Sequence, residues 1–532
     1  MKPALRHAAI TFAAALALPA HAVNGYSFLD AAASPLDYRV ANASPRMACR
    51  ALKARGRGPV TILSAEEVPA SAAAPAFCRV HGVIAPEVQF EVALPLAWNK
   101  RLYMRGNGGF AGESLTAPIR VSQRNMALKN GFAAVQTNTG HDAEGEPLGS
   151  FAHNNLQKTI DYGFRAVHES AQAAKRLARA YYDRPAAHSY WDGCSTGGRQ
   201  ALISAQRYPG DFDGIVAGAP VLNFTDSLTT ALWNSQQLAR APVPIAKMKL
   251  VAEAVYERCD AKDGAKDGII EDPRACDFDP ARDVKACATG QDGADCLTSA
   301  QAGALKAIYA GPHSNGRSYF FGQPVGAEKL GQQPTLPGPS SGWDFWIIPP
   351  SGKSRQLQYG DSFVKYMAFH PKADPGYDWT KFDFDKDYPR ISPAIRGLLD
   401  AVDPDLSEFR SRGSKLLMYF GWADTALAPG MGVDYYEKVR AKMGADVPGF
   451  MRLFMVPGMF HCRGGVGVDR LDAMTPLVNW VEGGKAPERI VAGRMEQGKV
   501  VRTRPLCAYP QVAKWDGRGS LDEEKSFGCK LP

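Results

Sequence analysis

Three polar residues of this chain, Ser195, Asp424 and His461, have the types and the order needed for nucleophilic attack on an acyl carbon. A serine hydroxyl is a weak nucleophile at neutral pH. An imidazole within hydrogen-bond reach can take its proton, and a carboxylate beyond the ring fixes the tautomer and stabilises the imidazolium. Ser195 lies in Gly193-Cys194-Ser195-Thr196-Gly197, a Gly-x-Ser-x-Gly motif. A β-type stretch, 187–191, precedes it, and 200–208 reads as a helix ended by Pro209-Gly210. Strand, sharp turn and helix together hold such a serine out at a helix N-terminus, where N–H groups and the helix dipole favour negative charge. Asp424 follows the strand-like run 415–420, and His461 follows 450–456. Read singly, Asp424 is a turn-capping residue and His461 a loop histidine. Their shared position after strands, in the order Ser, Asp, His, favours a triad.

Attack on a carbonyl creates an oxyanion that needs N–H donors. Residues 101–104 read as a strand that runs into Gly106-Asn107-Gly108-Gly109-Phe110-Ala111-Gly112. Glycines after a strand let the backbone approach a ligand closely. The expected donors are the backbone N–H groups of Gly109, beside Gly108, and of Thr196, the residue after the nucleophile. The plain alternative is a flexible turn without a ligand. His141, in the loop after the buried-strand run 131–137, is a rival base. It precedes the nucleophile and would give an unusual triad order, so a structural role is the better reading.

These loops need strands and helices to carry them. The alternating run 88–94 reads as a half-buried strand after an irregular N-terminal stretch, and 212–220 as a strand with a turn. Residues 155–182 read as a long amphipathic helix, with Ile160, Phe164, Val167, Ala171, Ala174 and Leu177 on one stripe. Helices are also expected at 431–443 and 471–481. Strands alternating with helices imply an α/β fold with a mainly parallel sheet covered on both faces. Periodicity weakens between 221 and 409, a stretch rich in Pro, Gly, Asp and aromatics. We read it as a lid inserted into a catalytic domain formed by 23–220 and 410–532. Trp343, Phe345, Trp346, Tyr359, Phe363, Tyr366 and Phe369 crowd within it. They suit an aromatic wall over a substrate ring and an ordinary lid core equally.

The N-terminus begins with Lys2 and Arg6, continues with an apolar run at 8–18 and ends in Ala20-His21-Ala22. That is the pattern of a cleavable signal peptide, 1–22, and its apolar run is too short to span a bilayer. The expected mature protein is exported, periplasmic or secreted. The formal charge of +8 falls to +6 without Lys2 and Arg6, and the basic residues are scattered rather than blocked. Nucleic acid and membrane are therefore not expected partners. All ten cysteines lie beyond residue 22, and export makes disulfides the default. Sequence alone does not fix the connectivity. Spacing suggests Cys49 with Cys78, Cys259 with Cys276, Cys287 with Cys296 and Cys507 with Cys529, which leaves Cys194 and Cys462. Those two flank Ser195 and His461 directly, so a bridge would tether nucleophile to base. Cys194 as a free nucleophile is the competing idea, disfavoured in an oxidising compartment.

The stretch Cys259-Asp260-Ala-Lys-Asp263-Gly-Ala265-Lys-Asp267-Gly-Ile269 gathers three aspartates in a Gly-bent loop. A hard cation such as Ca2+ would relieve their repulsion, with Asp260, Asp263 and Asp267 giving side-chain oxygens and Ala265 and Ile269 carbonyls. The spacing is not that of an EF-hand. The alternative is a solvated acidic loop with Lys262 and Lys266 as counterions. Its place in the lid suits a structural ion.

These motifs resemble the tannase and feruloyl esterase family over nearly the whole mature chain. The resemblance rests on 94–99 leading into Gly106–Gly109, Gly193–Gly198, Asp260–Ile269 and Phe460-His461-Cys462. It implies an α/β-hydrolase domain, a lid with structural calcium, the five bridges above, and ester substrates with an aromatic acyl part. It does not select the acid. Family members that hydrolyse terephthalate monoesters hold the free carboxylate with a lid arginine, and Arg355 and Lys353 lie in roughly that region. Feruloyl- or galloyl-type esters rank first, terephthalate monoesters second. A non-catalytic phenolic-binding protein on the same scaffold is a third reading.

Overall fold

A computed structural model describes residues 27–37, 39–330 and 342–532. The expected leader, 1–22, lies outside these. Nine strands form the central sheet: β1 (Val60–Val68), β2 (Phe77–Ile84), β3 (Val88–Pro95), β4 (Arg101–Arg105), β5 (Ala133–Thr137), β6 (His188–Cys194), β7 (Gly214–Gly218), β8 (Lys415–Gly421) and β9 (Met451–Val456). Their order is β1-β2-β3-β5-β4-β6-β7-β8-β9. From β5 to β9 every neighbour is parallel, while β1, β2 and β3 extend one edge antiparallel up to β5. The architecture is an α/β-hydrolase-type fold. The parallel half matches the strand–helix alternation. β1 and β2, in the stretch expected to be irregular, pair locally and alternate only partly between buried and exposed positions.

Successive residues of the parallel strands bury on opposite faces. Leu102 and Met104 of β4, Ile215 and Ala217 of β7, and Met451, Leu453 and Met455 of β9 face one core. Tyr103, Val216, Phe454 and Val456 face the other. Each of the Leu, Ile, Met, Val and Phe side chains among them contributes roughly 1.5–3 kcal/mol by leaving water, which is why these strands read as largely apolar. Helices Ala166–Tyr182, Thr196–Arg207 and Gly430–Met443 cover the first face. Helices Pro118–Lys129 and Met474–Gly483 cover the second.

The helix expected at 155–182 is interrupted. Leu156–Ile160 and Ala166–Tyr182 are α-helical, and Asp161–Arg165 forms a π turn. Val167, Ala171, Ala174 and Leu177 are buried as expected, whereas Ile160 and Phe164, ahead of or inside the turn, are half-buried. A π turn carries one extra residue; it rotates the stripe and buries Tyr162 instead.

Between β7 and β8 the described residues contribute no strand to the central sheet. It contains helices Phe224–Arg240, Met248–Cys259, Ser299–Ala310 and Arg355–Tyr366. Helix Ser299–Ala310 starts from a capping box, Thr298 and Gln301 each bonding the other's backbone N–H. Two apolar clusters serve this insertion. One holds Val251, Leu305 and Trp343, and the other Phe224, Leu232, Phe363 and Leu399 against Phe110 and Tyr162 from outside this stretch. After β9, two short hairpins close the chain, Arg489–Glu496 with Lys499–Cys507 and Val512–Trp515 with Phe527–Lys530.

Candidate active site

Strand β6 ends at Cys194 and helix Thr196–Arg207 begins at once, so Ser195 must make the whole turn. Its backbone has φ 64° and ψ −121°, a conformation costly for a residue with a Cβ and typical of functional turns. Gly193 makes the reversal possible: a Cβ there would lie 2.6 Å from the carbonyl oxygen of Gly197. The Ser195 hydroxyl faces His461 Nε2 at 2.9 Å, and His461 Nδ1 lies 2.8 Å from Asp424 Oδ2. A carboxylate at Nδ1 requires that nitrogen to donate, which leaves Nε2 free to accept the serine proton. Asp424 is fully buried, and its other oxygen accepts the N–H groups of Ala426 and Leu427, both at 2.9 Å. The turn-capping contacts and the contact to His461 therefore fall on the same carboxylate. Cys194 and Cys462 are bridged, with Cα atoms 6.1 Å apart, and join the two loops across 268 residues. The other four pairs are also those the spacing suggested, and no cysteine is free.

Gly109 stands beside this group. Its carbonyl accepts the Tyr162 hydroxyl at 3.0 Å and the Thr196 hydroxyl. The π turn thus carries Tyr162 to the glycine loop, and Thr196 ties that loop to the serine's helix. A second tie joins the ends of β4 and β6: Asp192 Oδ2 takes Arg105 Nη1 at 2.5 Å and the Tyr103 hydroxyl at 2.9 Å. Local sequence gives Tyr162 and Arg105 no mark as site residues. The only available signal was Asp192's place next to Gly193. His141 is not part of the group. It is buried, stacked on Phe151 at 3.9 Å, and burial pulls its pKa down to about 4.

A cavity of about 510 Å3 opens over Ser195 and His461. Phe345, Trp346 and Tyr359 of the insertion line it, with Trp346 edge-on to the His461 ring at 5.3 Å. Trp343 and Phe363 are fully buried in the insertion's own clusters, and Tyr366 and Phe369 pack on the second of these. The aromatic crowd thus divides between the cavity lining and the packed interior of the insertion. Arg355 lines the cavity, its guanidinium 4.8 Å above the Tyr359 ring. Lys353 does not line it; it is largely exposed, 3.6 Å from Asp361.

In the aspartate loop, Asp260 Oδ1 accepts from Gly268 N at 3.0 Å and Asp263 Oδ1 from Ala265 N at 2.8 Å. Asp267 accepts Ile269 N at 3.1 Å and pairs with the buried Arg504 of the C-terminal hairpin. Burial, with Asp267 nearby, raises Asp263 to about 6 and also raises Asp260. Carboxylates with neighbouring carbonyls are the donor type that a hard cation takes. As placed, the side chains turn to backbone N–H groups and Arg504, and no group of three acidic, His or Cys residues closes a cage among the described residues.

Comparison with known proteins gives one family. The model for tannase and feruloyl esterase matches residues 72–530. The mono(2-hydroxyethyl) terephthalate hydrolase of Piscinibacter sakaiensis is 35% identical over 92% of each chain. Feruloyl esterase B of Aspergillus niger is 30% identical over 82% of this chain and 83% of its own. Among solved structures, feruloyl esterase B of Aspergillus oryzae superposes with a TM-score of 0.79 at 25% identity, over 91% of this chain and 99% of that one.

Proposed function

The chain belongs to the tannase and feruloyl esterase family and is a carboxylic ester hydrolase, and from that premise we propose that Ser195, His461 and Asp424 hydrolyse esters of feruloyl- or galloyl-type acids through an acyl-enzyme. The observation that carries this is the unbroken chain from the Ser195 hydroxyl through His461 to buried Asp424, under Trp346 and Tyr359. Ser195 Oγ attacks the ester carbonyl as its proton passes to His461 Nε2. The N–H groups of Gly109 and Thr196 stabilise the oxyanion. The C–O bond to the alcohol then breaks, and the alcohol leaves with the proton from Nε2. Water, deprotonated by the same nitrogen, releases the acid and restores Ser195. The test is a panel of methyl ferulate, methyl gallate and mono(2-hydroxyethyl) terephthalate. A kcat/KM for one of the first two at least about tenfold above the third is expected, a gap of about 1.4 kcal/mol. The reverse ranking overturns the choice of acid. The family's ester hydrolase activity displaces the non-catalytic binding reading.

One observation favours the terephthalate monoester as second reading: Arg355 reaches the cavity with no acidic partner among the described residues, bonding Gln358 and Tyr359. If it binds an acyl-side carboxylate, Arg355→Ala lowers terephthalate monoester turnover by about 10- to 100-fold, the worth of a charge-assisted bond. Methyl ferulate turnover, with no second carboxylate, changes less than threefold on the same estimate. Equal changes on both esters would count against a carboxylate at Arg355.

We assign Ca2+ to Asp260, Asp263 and Asp267 with the carbonyls of Ala265 and Ile269, as a structural ion holding the insertion against the C-terminal hairpin. Chelation is expected to lower Tm by several degrees, and readdition of Ca2+ to restore it, with about one ion per chain by elemental analysis. An unchanged Tm and no bound calcium would remove the assignment. Export is also proposed. Five disulfides suit an oxidising compartment, and no described helix is long and apolar enough to cross a membrane.

A further inference from the structure

The glycine loop after β4 has its leading N–H groups taken in succession. Gly106 N–H donates to the Asp192 carbonyl at 2.9 Å, Asn107 N–H to Gln200 Oε1 at 3.0 Å, and Gly108 N–H to Glu113 Oε1 at 3.1 Å. The next donor, Gly109 N–H, meets no protein acceptor among the described residues. Glu113 does more than close one bond. Its Oε2 accepts from Asn107 Nδ2 at 3.0 Å, and Arg120 Nη1 lies 3.7 Å from that oxygen while donating to the Gly106 carbonyl at 2.7 Å. Asn107 is gripped at its remaining atoms too: Nδ2 reaches the Thr137 carbonyl at 2.8 Å, and Oδ1 accepts Gln200 Nε2 at 3.3 Å. Gln200 lies on helix Thr196–Arg207, which follows Ser195. Gly108 gives the carboxylate room, since a Cβ there would stand 3.2 Å from Glu113 Oε1.

We propose that Glu113 is a positioning residue for ester hydrolysis: its carboxylate holds Asn107 and Gly108 so that the next N–H, of Gly109, stays aimed at the oxyanion. The proposal rests on the assignment of Ser195 and Gly109 above. An oxyanion donor is effective because it is fixed before the charge forms, and losing one costs about 10^2–10^3 in kcat. A loop with glycine at 106, 108, 109 and 112 has little stiffness of its own, so its rigidity must come from the side chains that grip it. A donor that strengthens only in the transition state changes kcat and leaves substrate binding nearly alone.

Glu113→Ala and Glu113→Gln test this on the ester the wild type hydrolyses best. Binding of an arylboronic acid, which forms a tetrahedral adduct on a serine, and of the product acid is measured alongside. For Glu113→Ala, kcat is expected to fall by roughly 30- to 300-fold with KM within about threefold. Boronate affinity falls in parallel, and product-acid affinity holds. Glu113→Gln recovers part of the loss, because its Oε1 can still accept Gly108 N–H while its amide meets Asn107 Nδ2 donor to donor. An unchanged kcat in Glu113→Ala overturns the proposal. So do equal losses in kcat and product-acid binding with a lowered Tm, the mark of general damage. If Glu113→Ala does not fold, Glu113→Gln decides: kcat and boronate affinity reduced together support it, and both unchanged overturn it. A dead Ser195→Ala beside a normal Glu113→Ala sinks this inference alone; an active Ser195→Ala sinks the reading beneath it.

Discussion

Replacing Ser195 with alanine is expected to lower kcat/KM for methyl ferulate or methyl gallate by about 10^4-fold or more, with the fold intact. Removing the nucleophile leaves only what oriented N–H donors and binding supply, and nucleophile deletions in serine hydrolases cost in this range. The fold should tolerate the change because the Ser195 side chain has His461 Nε2 as its hydrogen-bond partner in this structure. The turn itself is held by backbone bonds, Ser195 N–H to the Gly218 carbonyl at 3.0 Å and Arg199 N–H to the Ser195 carbonyl at 3.0 Å. Alanine at φ 64° is no worse placed than serine. Asp424→Ala is a poorer test. It also strips the N–H groups of Ala426 and Leu427 of their acceptor, so lost stability and lost activity would be confounded. Turnover within tenfold of wild type in Ser195→Ala, with circular dichroism and Tm unchanged, would defeat the assignment.

The second large effect is expected from the double change Cys194→Ala/Cys462→Ala. The bridge spans 268 residues, and chain-entropy arithmetic puts the stabilisation from so long a loop on the order of 5 kcal/mol, an upper bound. The same arithmetic gives about 3 kcal/mol less for Cys287–Cys296, whose separation is 9 residues. The catalytic effect is separate. The bridge joins the neighbours of Ser195 and His461, and a misplacement of reacting groups by about 1 Å is worth roughly 100-fold in rate. The double variant should therefore lose at least about 100-fold in kcat at a temperature where it remains folded. Cys287→Ala/Cys296→Ala, far from the reacting atoms in sequence, should keep kcat within about twofold. Activity and Tm of both variants, without reductant, check this. Equal kcat losses in the two would mean that the long bridge has no positional role.

Much of the site was legible in the sequence because its signals are local. A glycine–serine turn between a strand and a helix, an acid and a histidine after later strands, and cysteines adjacent to serine and histidine can each be read within a few residues. What escaped depends on contacts between distant segments. Tyr162 reaches Gly109 only because a π turn interrupts its helix, and amphipathic periodicity does not announce that extra residue. Asp192 and Arg105 meet across 87 positions by strand pairing. Arg504 comes to Asp267 over 237 positions from a hairpin whose exposed tip, 496–500, shows little apolar alternation. The parallel strands β7 to β9 were readable as apolar runs buried on both faces, and β6 as a short β-type stretch before the serine turn. β1 and β2, at the sheet edge with one face partly wet, read as irregular. The aromatic crowd at 343–369 was ambiguous for a physical reason: lid core and cavity wall call for the same residue types, and only the direction each ring faces separates Trp346 from Trp343.

The most direct measurement is covalent. The unreduced protein is treated with a fluorophosphonate, which reacts only with an activated serine, then digested and mapped by mass. The expected result is one adduct, on Ser195, in a peptide still joined to the His461 peptide through Cys194 and Cys462, and no adduct in His461→Ala. An adduct on another serine, labelling that survives His461→Ala, or an active enzyme that takes no label would contradict it.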